Sequence, residues 1–174
     1  ERGTGGRYGA AHLRRVMGVV IHDQDAAGFT NGLETAMRPM DLGKGGGNGL
    51  EVDAFLCGYD ALLADPRLGR VWLIEHGSAA VGHFVVTFVF AMEYGGLTAV
   101  VDDFYVRPEA RGAGLGTAAL AEARRACFEL GVRAMRVEVG RDNAVAQAVY
   151  RHAGFGVLDH QLMALPLAAP AHVV

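Results

Sequence analysis

Residues Arg111-Gly112-Ala113-Gly114-Leu115-Gly116 lie between an apolar, strand-like run and an alanine-rich, helix-like run. Glycine in a helix interior costs about 1 kcal/mol relative to alanine, so glycines at alternate positions where a helix begins need a reason. The first N–H groups of a helix have no internal partner and carry the positive end of its dipole. Bare glycines let a bulky anion approach that backbone, and Arg111 adds a charged fork suited to phosphate. A diphosphate is the natural guest; a glycine-rich turn with no ligand is the plain alternative. Just upstream, Asp102 and Asp103 stand among Val100, Val101 and Phe104. Acids in an apolar strand need partners, and neighbouring strand residues point to opposite faces. One acid is therefore expected to face a pocket, the other to cap a helix or pair with an arginine, and either could be the pocket acid.

Two common nucleotide folds fit these residues poorly. A Walker A loop needs its last glycine followed by Lys and then Ser or Thr, whereas Lys44, in the glycine-rich stretch 43–49, is followed by Gly45. That stretch reads as a lid or a surface loop. A Rossmann turn needs Gly-x-Gly-x-x-Gly. Gly112 and Gly114 satisfy its start and Glu138 lies at a suitable distance for a ribose, but Thr117 occupies the third glycine position and Pro108-Glu109-Ala110-Arg111 lengthen a connection that should be tight.

The elements that must hold these residues read as one α/β (α+β) domain. Residues 1–13 are rich in Gly and Arg and look like a tail; 14–174 form the domain. "RRVMGVVIHD" predicts a strand, and 25–38 a loose helix that Asp23 or Asp25 would cap. Val52, Phe55, Leu56, Tyr59, Leu62 and Leu63 recur at helical spacing before Pro66. "RVWLIE", "VGHFVVTFVFAME" and "LTAVVDDFYV" then alternate as strands joined by short glycine turns, which makes antiparallel hairpins. A helix from 115 with Leu120, Ala123, Cys127 and Leu130 on one stripe, a strand "RAMRVEV" parallel to the one before it, and a helix "DNAVAQAVYRHA" closed by Gly154 complete the core. "FGVLDHQLMALPL" predicts one or two final strands. Trp72 reads as core, and His83, in a long apolar strand, as a satisfied core or edge histidine.

Composition excludes some classes. The formal net charge of −3 argues against nucleic acid as a partner, no window approaches the ~20 apolar residues of a membrane span, and no signal-like h-region is visible. Cys57 and Cys127 are far apart and read as small buried hydrophobes of a reduced, cytoplasmic protein. The seven histidines show no ligand spacing, so no metal is expected.

The motifs together carry a resemblance. Arg111-x-x-Gly114-x-Gly116 resembles the arginine/glutamine-x-x-glycine-x-glycine/alanine signature of the GNAT superfamily of N-acetyltransferases. Val106-Arg107-Pro108-Glu109 is similar to its lead-in, and Asn143, Ala146 and Tyr150-x-x-x-Gly154-Phe155 to its later helix. The similarity is good over about 70–157, and the acid pair before aromatics looks closest to the spermidine/spermine-like branch. The resemblance implies a mixed, mostly antiparallel sheet flanked by helices, in which a parallel strand pair splays to admit acetyl-CoA.

It also implies roles. The backbone of Arg111, Gly112, Ala113, Gly114, Gly116 and Thr117 would hold the pyrophosphate; Phe104 and Val106 would pair with the pantetheine arm like an added strand, and Asn143 would bond it from the next helix. A primary amine near pKa ~10 must lose a proton before attacking a thioester, and the departing thiolate needs one. Tyr150 suits that acid, lying two helical turns beyond Asn143 on one face with Gln147 between them. By resemblance Asp102 is the first choice for the base and Asp103 for binding a cationic acceptor. Glu93, before the Tyr94-Gly95-Gly96 turn, either adds negative charge at the pocket mouth or is a solvated turn residue. The implied activity is acetylation of a small cationic amine (polyamine, aminoglycoside or amino-acid-like), with a protein lysine or a non-catalytic acyl-CoA sensing module as alternatives. Homodimers occur among such proteins.

Overall fold

A computed structural model describes residues 15–16, 19–23, 52–165 and 167 of the chain. Six strands form one sheet in sequence order: β1 (Arg15–Val16), β2 (Val19–Asp23), β3 (Gly69–His76), β4 (Ala79–Ala91), β5 (Gly96–Val106) and β6 (Ala134–Val137). Every neighbouring pair is antiparallel except β5 and β6, which run parallel. Among the described residues three helices accompany the sheet: α1 (Val52–Ala64), α2 (Leu115–Glu129) and α3 (Ala144–His152). The expected antiparallel hairpins and the parallel strand–helix–strand unit are both present. The helix expected over 25–38 and the loop 43–49 lie outside the described residues. Among the described residues no helix is long and apolar enough to cross a membrane.

Alternation along the strands gives the sheet two apolar faces. Val71, Leu73 and Val85 pack against Tyr59 and Leu62 of α1. On the other face Trp72, Phe84, Val86, Ala99 and Val101 lie beneath Leu120, Ala123 and Cys127 of α2 and Tyr150 of α3. Trp72 and Cys127 are thus core residues, and burial raises the Cys127 thiol to about 11, which leaves it inert as a nucleophile.

The β4–β5 ladder contains the feature that shapes the site. Val86 pairs with Val101, but Val85 pairs with Asp103, so Asp102 is an extra residue in β5. Such a bulge shifts the phase of everything beyond it. Val101 packs on the α2 face, and strict alternation would set Asp103 beside it. Instead Asp103 turns to the α1 face and Phe104 returns to the α2 face, opposite Phe84. The β5–β6 pairing also stops here, at Val101 with Val137. β6 itself ends at Val137, so beyond the bulge β5 has no ladder partner on that side among the described residues.

Close approach of β4 to β5 depends on Gly82, where a Cβ would lie 2.2 Å from the Tyr105 carbonyl oxygen. Gly82→Ala is expected to destabilise the fold by about 1–3 kcal/mol through overpacking. The measurement is the urea midpoint; an unchanged midpoint would show that the strands tolerate a wider spacing.

The strands expected from "FGVLDHQLMALPL" are not present: 155–165 has no strand. Val157, Leu162, Met163 and Leu165 are all more than 70% exposed. Strand preference reflects a pleated face packed against something, and among the described residues nothing covers these side chains. Phe155 alone turns back, meeting the Tyr150 ring at 5.5 Å.

Candidate functional site

Between β5 and α2 the chain makes a short 3-10 turn, Pro108–Ala110, and then the glycine stretch. Gly112 and Gly114 have φ of 82° and 76°, a left-handed backbone that only glycine adopts without strain. Gly114 is the N-cap of α2 and supplies no capping side chain. The first helical bond is from the Ala118 N–H to the Gly114 carbonyl at 3.0 Å. The N–H groups of Leu115, Gly116 and Thr117 precede it and have no helical acceptor. Leu115 and Ala119 are buried against Ile74 and Val81, which anchors the helix start on the sheet. Among the described residues, and apart from the chain neighbours, no atom lies within 4 Å of where a Cβ would stand at Gly112 or Gly114. A Cβ at Gly116 would meet Phe104 at 3.4 Å. Ala113 and Thr117 are exposed on the same rim. The arrangement forms a cradle suited to an anion: N–H groups without helical acceptors, the positive end of a helix dipole and glycines that leave the backbone bare.

Arg111 borders the cradle. Its Nε donates to the Val106 carbonyl at 2.7 Å and its guanidinium lies 5.7 Å from the Tyr105 ring centroid. The Arg107 N–H bonds the Val81 carbonyl across to β4 at 2.8 Å. Because ladder groups alternate in direction, Phe104 and Val106 turn their N–H and C=O away from β4, past the end of β6. There the Val106 carbonyl takes Arg111 Nε and the Phe104 N–H lies on the Asp103 carboxylate, which leaves the Phe104 carbonyl and the Val106 N–H as the groups that an extended chain could pair with by strand addition.

The two acids have opposite surroundings. Asp103 Oδ2 accepts a hydrogen bond from the Tyr59 hydroxyl at 2.8 Å and lies 2.8 Å from His83 Nε2. A carboxylate only accepts, so the Nε2 proton lies on that bond. Burial pushes the Asp103 carboxyl up, but the bonds from His83, Tyr59 and the Phe104 N–H outweigh it and hold it below the usual carboxylate range. Asp102, in the bulge, is exposed over much of its surface. Partial burial of its carboxyl, then the charge of Asp103, push it above the usual range. Tyr59 is raised far above an ordinary phenol by burial and by both acids, and stays protonated.

Helix α3 brings the remaining residues. Asn143 is its N-cap, with Oδ1 accepting from the Ala146 N–H at 3.0 Å. The Asn143 carbonyl-type oxygen is therefore occupied by the helix start, and its amide N–H₂ is the part left for a ligand. Gln147 donates to the Gly140 and Arg141 carbonyls at 2.8 and 3.1 Å, holding the preceding loop. Tyr150 is buried, with its ring 6.5 Å from Phe104. Burial, then the Asp103 charge, raise its phenol to about 12. Phe104 thus links the cradle, through Gly116, to Tyr150.

The structure sets Glu93 away from this end. It lies in the turn before β5, and its carboxylate is 3.7 Å from Arg136. From Gly96 to Asp102 the strand rises about 20 Å, so Glu93 belongs to the far end of the hairpin. Conversely, the sequence reading set Tyr59 in the core stripe of α1 and His83 in the core, and did not connect either to Asp103. Among the described residues no group of three His, Cys, Asp or Glu is arranged to hold a metal.

The model of the acetyltransferase (GNAT) family matches residues 47–155. The integron cassette protein HFX_CASS3, from the mobile metagenome of Cole Harbour Salt Marsh, is 48% identical, with 70% of this chain and 74% of that chain covered and a TM-score of 0.61. AAC(6')-Iy, solved with the bisubstrate analog CoA-S-monomethyl-acetylneamine, is 15% identical, with 86% and 99% covered and a TM-score of 0.69. A predicted acetyltransferase from Clostridium acetobutylicum, solved with acetyl-CoA, is 18% identical, with 84% and 96% covered and a TM-score of 0.65. At these low identities the last two are alike in fold. No curated protein is similar in sequence.

Proposed function

The chain belongs to the acetyltransferase (GNAT) family, and on that premise we propose that it moves the acetyl group of acetyl-CoA to the primary amine of a small cationic acceptor. The observation that carries this reading is the coincidence at Asp102: the bulge, the end of β5–β6 pairing, the open edge of Phe104 and Val106, and the cradle before α2 all fall at one end of the sheet. Acetyl-CoA is the acetyl donor, as in the family. Its pyrophosphate would take N–H groups between Gly112 and Thr117, beside Arg111, whose own N–H bonds the Pro108 carbonyl at 3.2 Å, and its pantetheine arm the edge of β5 past β6, with the Asn143 amide N–H₂ beside it.

The chemistry follows from two acids with separated affinities for protons. Asp103, held ionised, binds the ammonium of the acceptor. Asp102, the better proton acceptor of the two, removes the proton, directly or through one water. The amine nitrogen then attacks the thioester carbonyl and a C–N bond forms; as the C–S bond breaks, the nitrogen gives up its second proton to water, the thiolate takes a proton from the Tyr150 phenol, and water reprotonates the phenolate. Burial and the Asp103 charge raise the Tyr150 phenol to about 12, so the group is protonated at neutral pH. Two neighbouring folds are aminoglycoside 6'-N-acetyltransferases or bind such an analog, which agrees with a cationic small molecule as the acceptor class. Spermidine-like and aminoglycoside-like acceptors are both cations, and this reading admits either.

Thiol release from acetyl-CoA against a panel of polyamines, aminoglycosides and basic amino acids tests the reading. Release with a cationic amine is expected; release with neutral amines alone would sink the role of the acids. Coenzyme A is also expected to raise the melting temperature while NAD does not. At about 100 times the dissociation constant the gain is ~2.7 kcal/mol, and stabilisation by NAD would move the cradle to another ligand class.

A further inference from the structure

His83 and Tyr59 have no part in the cradle, the open edge or the proton steps, yet they converge on the acceptor acid. The His83 ring is fully buried and cannot touch a substrate. Its Nε2 and the Tyr59 hydroxyl, from β4 and α1, both meet Asp103 Oδ2 at 2.8 Å. The imidazole is clamped: the Tyr59 ring stands edge-on to it at 6.0 Å and Tyr105 stacks on it at 5.8 Å. Its Nδ1 has no partner among the described residues.

As a stabilising device this is a poor choice. A buried polar atom without a partner is costly, and a buried ion pair is often matched by apolar residues of the same volume. What the arrangement supplies is a fixed direction. Two donors from separate elements lock one carboxylate oxygen, so the group cannot rotate. The other oxygen takes no side-chain hydrogen bond among the described residues, and the side chain stays 21% exposed beside the opened strand edge. The bulge is what makes this possible, because it turns Asp103 toward His83 and Tyr59.

Resting on the acetyltransferase reading, we propose that His83 and Tyr59 are positioning residues that hold Asp103 as an oriented anion for the ammonium group of the acceptor. They act through Asp103 on acceptor binding, not on the acetyl donor.

The test compares wild type with Tyr59→Phe, His83→Leu and His83→Gln, using spermidine and neamine as acceptors. Steady-state constants for acceptor and donor are measured. The Asp103 side-chain carbon is also followed by NMR against pH and against added amine, which needs no turnover. Tyr59→Phe and His83→Leu are expected to raise the acceptor KM about tenfold, more than they lower kcat, with the acetyl-CoA KM unchanged. His83→Gln, which keeps an amide N–H within reach of Oδ2, should recover most of the loss. The Asp103 titration midpoint should rise in the first two variants. An unchanged acceptor KM in the folded variants overturns the proposal, as does a parallel loss of donor and acceptor affinity that glutamine does not rescue. Should His83→Leu fail to fold, Tyr59→Phe and His83→Gln decide. A wild type that acetylates neither amine counts against the acetyltransferase reading instead. The carbon signal then decides: a response to amine that the variants weaken supports the positioning role, and none overturns it.

Discussion

Tyr150→Phe is expected to lower kcat by about 10²-fold or more while leaving the dissociation constant of acetyl-CoA unchanged. Phenylalanine keeps the ring that packs against Phe104 and Phe155, so the variant should fold with its core intact. It removes only the hydroxyl, which burial and the Asp103 charge keep protonated up to about 12. An acid that acts on the departing thiolate is used in the transition state and little before it, and losing it lowers kcat and kcat/KM together. The decisive comparison is therefore single-turnover acetylation beside direct titration of acetyl-CoA. A rate within a few-fold of wild type would make Tyr150 a core anchor and return the thiolate's proton to water. A fall in rate matched by a fall in acetyl-CoA affinity would assign the hydroxyl to binding.

Most of the scaffold was legible because it depends on local pattern. Gly95-Gly96 and the alternating runs on either side specify the β4–β5 hairpin, and Gly114 with the alanine-rich run after it specifies where α2 starts. Two things were not legible, and both concern what a segment packs against. Counting outward from the turn, Ala91 pairs with Gly96 and Val86 with Val101; an unbroken ladder would then set Val85 against Asp102 and His83 against Phe104. One extra residue changes these partners to Asp103 and Tyr105. No composition signal marks that residue, so the acid that meets His83 and Tyr59 could not be read from alternation. The signal was indirect: two acids at the end of a hairpin whose partner strand carries a buried histidine need more donors than a regular ladder supplies. The final apolar segment failed for the opposite reason. Val157, Leu162 and Leu165 have strand-like character, but strand formation needs a face, and none is offered to them among the described residues.

Gly114→Trp is expected to weaken coenzyme A binding by about 100-fold, or ~2.7 kcal/mol, and the control that gives this meaning is Gly114→Ala. At φ 76° any side chain is strained, and for alanine that strain amounts to about 1–2 kcal/mol of stability. Among the described residues, and apart from the chain neighbours, no atom lies within 4 Å of the alanine Cβ, so alanine tests backbone strain with little obstruction. Tryptophan adds an indole at the mouth of the cradle, in front of the N–H groups of Leu115, Gly116 and Thr117. If the diphosphate rests there, the two variants should lose similar stability but very different affinity, read by urea midpoints and by titration calorimetry with coenzyme A. Equal affinity losses would mean that the left-handed backbone, not the open space, is what the ligand needs. Unchanged affinity in both would remove the pyrophosphate from the start of α2, and with it the reason for three glycines in Gly112-Ala113-Gly114-Leu115-Gly116. The contrast matters for the acids as well: only a donor anchored at this helix start would run its thioester along the free edge of Phe104 and Val106 to Asp102, Asp103 and Tyr150.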